Sequence, residues 1–264
     1  MTNKIDKIFK FLGYYRMDAR YINLLPTIKN ALSINIKDIK LDIDTGLHDK
    51  FEIKDLSILP ESEDLFTLNG FKLPCWLDSD VNLVDDWLTT KSYYPIYYNV
   101  LKKFCVHKTS FRVLEIGVRT GYFGVVCAKA IKEALLYVGV DPNLYISYGL
   151  ELASRSLKEL KENRGSFDYM LINGYSNDPS IQNSLSYSGL FDVIHIDGNH
   201  TVKGKLIDLY LASKIIYDDG IILVDDFDYH SIIVQDAIKR AMALKWFRRF
   251  SYIATKRGLA ILQI

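Results

Sequence analysis

Five apolar runs of strand length, each closing on a glycine or an acid, alternate with helix-length stretches through the last two thirds of this chain. They are FRVLEIG (111–117), YVGVD (137–141), DYMLING (168–174), FDVIHID (191–197) and GIILVDDF (220–227). A near-continuous apolar run suits a strand covered on both faces, the condition of a parallel sheet with helices above and below. Helical patterns fall at 122–135, 147–163, 201–216 and 231–245, and YYPIYYNVLKKFC leads into the first strand. The alternation predicts a doubly wound α/β fold. FSYIATKRGLAILQI, with two apolar runs around Lys256-Arg257-Gly258, adds a closing hairpin and brings the strands to seven.

The chain has 264 residues, 49% hydrophobic and 25% charged, enough for one large domain and a smaller extension. Residues 91–264 form the regular part. Residues 1–90 read as a helix and strand extension serving as a lid, a substrate arm or a dimer arm. Within it, Leu41 and Ile43 alternate with acids, Thr45-Gly46 marks a turn, and Phe51 and Ile53 resume the alternation, the pattern of a strand hairpin. The stretch after it, with Asn69-Gly70 and Pro74, reads as loop-rich. A formal net charge of +1 gives no electrostatic case for a nucleic-acid partner. The basic cluster Lys245 to Arg249 contains two aromatics and reads as an amphipathic surface segment. Cys75, Cys105 and Cys127 form no CxxC pair, which fits a reducing, cytoplasmic setting. The pattern predicts no secretory signal and no membrane span.

Chemistry concentrates at the strand ends. FDVIHID delivers Asp197, IDGNH adds His200, and GIILVDDF delivers Asp225 and Asp226. The segment between the two strands is one helix-length crossover with Gly220 closing it, so a right-handed strand, helix, strand unit puts both carboxyl ends on one sheet edge. Open α/β sheets bind ligands there. Three acids suit a divalent metal, and oxygen ligands favour Mg²⁺ or Mn²⁺. His200 can then take a proton from whatever the metal binds. The competing readings are a solvated Asp-Asp turn and a capping or surface His200. His195, inside its strand, suits a hydrogen-bonded core role as well as a site role. His230 stands near enough in sequence to the acidic pair to be an auxiliary group. The tyrosines 93, 94, 97 and 98 suit helix packing, and Trp76 and Trp87 suit burial as well as stacking on a sugar.

The first strand runs into Glu115-Ile116-Gly117-Val118-Arg119-Thr120-Gly121. Glycines there allow a tight turn and close approach of a ligand to backbone, and the following helix offers free N–H groups. The dinucleotide fingerprint GxGxxG is absent. Asp141 ends the second strand, where a carboxylate can accept both ribose hydroxyls, and Gly174-Tyr175-Ser176 ends the third. Helix initiation by Asp141-Pro142 is the simpler alternative.

LEIGVRTGYFG and VGVDPN resemble the first two motifs of the class I S-adenosylmethionine-dependent methyltransferases, over about residues 95 to 264. The closing hairpin resembles the antiparallel strands that set that Rossmann-like fold apart from dinucleotide-binding domains. FDVIHIDGNHTVKGKLIDLYLASKIIYDDGIILVDDF is similar to the metal-dependent sugar O-methyltransferases of macrolide biosynthesis. The resemblance implies S-adenosylmethionine held by Glu115, Gly117, Arg119, Gly121, Asp141 and Ser176. It implies Mg²⁺ or Mn²⁺ on Asp197, Asp225 and Asp226, and His200 as catalytic base. The implied acceptor is a sugar-containing or other small polar molecule, with no nucleic acid, no membrane and a homo-oligomer compatible with the extension. A phenolic or phosphorylated acceptor, or a noncatalytic cofactor-binding assembly protein, are the other readings.

Overall fold

The computed structural model describes residues 24–52, 67–68, 71–72, 93–145, 149–255 and 257–264. Its elements, in chain order, are α1 (Leu24–Ser33), α2 (Thr45–Phe51), β1 (Thr67–Leu68), β2 (Phe71–Lys72), α3 (Tyr93–Phe104), β3 (Ser110–Ile116), α4 (Tyr122–Ala130) and β4 (Ala134–Asp141). They continue with α5 (Gly149–Asn163), β5 (Phe167–Asn173), α6 (Pro179–Tyr187), β6 (Phe191–Ile196), α7 (Val202–Ile215), β7 (Ile216–Val224), α8 (Ser231–Ala243), β8 (Arg249–Ile253) and β9 (Leu259–Gln263). Seven strands form one sheet in the order β5-β4-β3-β6-β7-β9-β8. Strands β3 to β7 are parallel, while β9 pairs antiparallel with β7 and β8 antiparallel with β9. The expected seven-stranded, mostly parallel sheet with a closing hairpin is what the chain forms.

Register is what positions the functional residues. Ile116 stands opposite Val140 on one side and Ile196 on the other, and Ile196 stands opposite Val224. The next residue on each strand is therefore Gly117, Asp141, Asp197 or Asp225, so four strand ends release their chemistry at one level. Side chains alternate between two cores. Val113, Val193 and Leu223 face the layer containing α3 and α4, with Tyr97 and Phe123. Leu114, Ile194, Ile196 and Val224 face the layer containing α7 and α8, with Leu206, Leu209 and Ile238. All six residues of β6 are buried, and two of them are polar, Asp192 and His195. Asp192 is satisfied by the Arg112 N–H at 2.8 Å and by Lys108 Nζ at 2.8 Å.

Two local expectations are corrected. Thr45-Gly46 is the first turn of helix α2, not the bend of a hairpin, because Asp44 caps it by accepting the Leu47 N–H at 2.7 Å. Leu41 and Ile43 lie in irregular chain. The crossover helix stops at Ile215 and Gly220 lies inside β7, since the β-branched pair Ile215-Ile216 leads into extended backbone at the helix end. Asn69-Gly70 separates β1 and β2, which pair antiparallel. The stretch around Pro74, together with Cys75, Trp76 and Trp87, lies outside the described residues, as does the first helical candidate. Among the described residues no helix is long and apolar enough to cross a membrane.

The described part of the extension is tied to the far end of the sheet. Arg249 on β8 binds Asp44 through Nε at 3.0 Å and Nη2 at 2.9 Å, and the Asp44 N–H donates to the Phe250 carbonyl at 2.8 Å. Arg240 on α8 donates to the carbonyls of Ala31, Leu32 and Ile34, which close the end of α1. The hydrogen bonds from Arg249 and the Leu47 N–H hold the Asp44 carboxyl at about 2, below the ordinary 3.8. A carboxyl lowered on folding contributes stability that is complete above its unfolded value and fades as pH falls toward its folded one. Asp44→Ala is expected to cost about 1 kcal/mol in urea unfolding at neutral pH. The gap between wild type and variant should close as the pH is taken from about 4 toward 2.

Candidate functional site

Gly117 is where the first loop meets the acidic strand end. Its φ is 98°, and a Cβ there would stand 2.4 Å from the Asp197 carbonyl oxygen. A glycine is required twice over, by the left-handed backbone and by the approach of the β6 chain. Gly117 donates to the Val140 carbonyl at 2.9 Å and Asp197 donates to that of Ile116 at 2.9 Å, so the loop is sewn to both neighbours. Arg119, also at positive φ (50°), is held by its N–H on Asp141 Oδ2 at 2.8 Å, and Asn143 N–H meets Asp141 Oδ1 at 2.7 Å. The buried Asp141 carboxylate thus shapes two loops, and it lines both cavities described below. Gly121 plays a different part. Its missing Cβ makes room for Ala153 of α5, 3.0 Å away, and it does not line either cavity.

Two adjoining cavities open at this edge. One of about 890 Å³ is lined by Gly117, Asp141, Asn143, Gly174, Tyr175 and Ser176 among others. That volume lies in the range of roughly 300 to 1,000 Å³ typical of small-molecule sites. The other, of about 200 Å³, is lined by Tyr97, Glu115, His195, Asp225 and Arg257 among others. Gly117, Arg119, Asp141, Asp197 and His200 line both. Ser176 flanks the larger cavity, its hydroxyl bonded to the buried Asp208 of α7 and its carbonyl accepting from Gln182 Nε2 at 2.9 Å. Burial raises Asp208 to about 6.

The acids converge as the spacing implied. One ligand atom each from Asp197, Asp225 and Asp226 lies within 4.8 Å of the others, and the same holds for His200, Asp226 and His230. His200 Nδ1 is 3.5 Å from Asp226 Oδ2, His230 Nε2 is 3.8 Å from it, and the two rings are 4.7 Å apart. Burial lifts Asp197 to about 6 and pushes Asp225 up strongly. Burial, then the Lys205 charge, lowers His200 below the ordinary imidazole value. Asp197 Oδ1 and Asp226 Oδ2 are buried without a hydrogen-bond partner. Buried carboxylate oxygens lacking a donor are costly unless a cation meets them, so the donor set fits a hard divalent ion.

Sequence reasoning missed or undervalued three residues. Arg257, from the β8–β9 turn, donates from Nε to Asp226 Oδ1 at 2.7 Å and reaches Asp225 Oδ2 with Nη2 at 3.3 Å. Tyr97 and His195 belong to a buried chain: Tyr97 Oη lies 3.0 Å from His195 Nε2, and His195 Nδ1 lies 3.2 Å from Glu115 Oε1. Tyr137 donates its hydroxyl to Glu115 Oε2, and His195 stacks on Phe123 at 4.1 Å. Burial raises Glu115 and lowers His195, each toward its neutral form. The signal for His195 lay in the strand period, which puts it on the face shared by Asp197 two residues later.

Comparison with known proteins bears on the fold that carries this edge. Residues 114–227 match the family model described as a methyltransferase domain, a span running from β3 to just beyond the acidic pair. No curated protein matches the sequence. Among solved structures, an O-methyltransferase from Streptomyces achromogenes involved in tomaymycin synthesis, in complex with S-adenosylmethionine, has a TM-score of 0.55 at 18% identity, covering 79% of this chain and 92% of that one. An O-methyltransferase from Bacillus cereus in complex with S-adenosylhomocysteine gives 0.52 at 15%, covering 75% and 93%. A TDP-rhamnose 3'-O-methyltransferase of calicheamicin biosynthesis gives 0.50 at 14%, covering 79% and 89%. These likenesses show that the chain shares its fold, a Rossmann-like seven-stranded sheet closed by an antiparallel hairpin, with those O-methyltransferases, and within that sheet residues 114–227 match the methyltransferase-domain model. Gly117→Ala is expected to lose about 2 kcal/mol or more in unfolding, because strained φ and a backbone collision add.

Proposed function

We propose that this chain transfers a methyl group from S-adenosylmethionine to a hydroxyl of a sugar or other small polar metabolite, with Mg²⁺ or Mn²⁺ at the acidic cluster. The observation that carries the reading is the shared lining of the two cavities. Gly117 and Asp141 on one side and Asp197 and His200 on the other stand at one level of the sheet, so a donor and an acceptor can meet between them.

In this reading the larger cavity takes the donor. Asp141 accepts from the ribose hydroxyls with the lone pairs that the Arg119 and Asn143 N–H groups leave open. The glycine turn admits the donor close to backbone, and the Tyr175-Ser176 loop, fixed by Asp208 and Gln182, flanks the base. Glu115 lines the smaller cavity as a buried acid close enough to Asp197 and Asp141 to feel their charge, a place for a cationic group of the donor. Reaction requires the acceptor oxygen in line with the methyl carbon and the sulfur. The new O–C bond forms as the S–C bond breaks, the sulfur keeps the electron pair, and the acceptor proton leaves. With Nδ1 turned toward Asp226, His200 presents Nε2 to that proton. A divalent ion on the carboxylates would acidify and orient the hydroxyl. His230, at 3.8 Å from the same Asp226 oxygen, supports the arrangement from the other side.

His200→Ala is expected to cut kcat by roughly 10² to 10⁴ while S-adenosylhomocysteine affinity stays within about threefold. Asp141→Ala should weaken that affinity tenfold or more in calorimetry; an unchanged value removes Asp141 from the donor site. Methyl transfer measured over sugars, nucleotide sugars and phenols should be abolished by EDTA and restored by Mg²⁺ or Mn²⁺, and activity undiminished in EDTA rejects the metal reading.

A further inference from the structure

Asp225 differs from the other two acids of its cluster in having both oxygens engaged. Oδ1 accepts the Asp226 N–H at 2.6 Å, and Oδ2 faces Arg257 Nη2 at 3.3 Å. The oxygens left buried and without a hydrogen-bond partner belong to Asp197 and Asp226. Arg257 is built into this place through its backbone as well as its side chain. Its carbonyl accepts the N–H groups of Asp228 at 2.8 Å and Tyr229 at 3.1 Å, and the Phe227 N–H reaches the Gly258 carbonyl at 3.1 Å. The hairpin turn therefore grips the segment that carries the acidic pair. The guanidinium sits 2.6 Å from Asp226 Oδ1, which turns Oδ2 toward His200 and His230.

We infer that Arg257 is a positioning residue that withholds Asp225 from the divalent ion, so that the ion is taken by two carboxylates, Asp197 Oδ1 and Asp226 Oδ2. The inference rests on the metal reading above and divides its ligand set. Charge is consistent with it: Arg257 and Lys205 offset the three carboxylates only in part, so a net negative charge remains for a cation. Coordination supports it too. Mg²⁺ keeps near-octahedral geometry and is commonly bound through one or two carboxylates plus waters and substrate oxygens. Holding Asp225 back leaves more positions for the acceptor. Recruiting Asp225 would strip a partner from a guanidinium that is largely buried, an unfavourable exchange in a low-dielectric setting.

The test is Mn²⁺ binding to the full chain, followed by electron paramagnetic resonance of the free ion, with circular dichroism melts as the folding control. Asp197→Asn and Asp226→Asn should each weaken binding tenfold or more, and Asp225→Asn by no more than about threefold. Arg257→Gln should bind Mn²⁺ more tightly than wild type, since a positive charge is removed and Asp225 is freed. In that background Asp225→Asn should now cost tenfold or more. Arg257→Lys keeps the charge and should behave as wild type. The inference is overturned if Asp225→Asn in the otherwise natural chain loses as much as Asp197→Asn, or if Arg257→Gln binds more weakly than wild type. Should Arg257→Gln not fold, the contrast between Asp225→Asn and Asp197→Asn decides alone. Wild-type protein that binds no Mn²⁺ rejects the metal reading itself, an outcome distinct from either of these.

Discussion

Much of this structure depends on how closely the chain after β3 approaches the chain after β6. Gly117 lies against the Asp197 carbonyl where no side chain could be accommodated. That contact joins the loop that lines both cavities to the strand end that carries the acids. Because Asp225 in turn donates its N–H to the Ile196 carbonyl at 3.1 Å, the same level is passed on to β7. Shape and charge at the edge therefore come from backbone bonds between adjacent strand ends, which are stiffer than side-chain contacts.

Electrostatics then sets what the edge can do. Three acids are clustered with only partial compensation, and burial raises Asp197 and Asp225 above the ordinary carboxylate range. A fold tolerates this when a partner supplies charge. Arg257 supplies part of it from the hairpin, and Lys205, fully buried on α7, contributes from below. The surplus separates the cluster from a self-contained salt-bridge network, and the proposed cation site rests on it. On the other face, the Tyr97, His195 and Glu115 chain brings polar groups into an otherwise apolar core, at the point where β3 and β6 pair Glu115 with His195. A hydrogen-bonded chain of this kind is stable inside a protein because every member has a partner, and it opens into the smaller cavity.

The terminal hairpin joins fold and chemistry. Strand β9 runs antiparallel between β7 and β8, so the turn before it comes back to the carboxyl end of β7. A further parallel strand would have put that turn at the opposite edge. The antiparallel addition places an arginine within reach of Asp225 and Asp226, and it gives α2 an edge strand on which to dock.

Local pattern in the sequence determined the doubly wound sheet, the closing hairpin, the strand-end placement of Asp141, Asp197, Asp225 and Asp226, and the proximity of His200 to the acids. Apolar runs and their closing residues are properties of neighbouring positions, and strand, helix, strand handedness carries them to one edge. The α2 segment was misread because alternating Leu41, Ile43, Phe51 and Ile53 imitates a strand, and Asp44 as a cap outweighs that period once Arg249 is beside it. Tertiary structure alone decided the ion pair between Arg257 and Asp226, 31 residues apart. It also decided the bond between Tyr97 and His195, 98 residues apart, and the role of Gly121 against Ala153. Periodicity tells which face a residue takes, but partners across a sheet follow from strand order and register, and those are fixed by the packing of the whole chain.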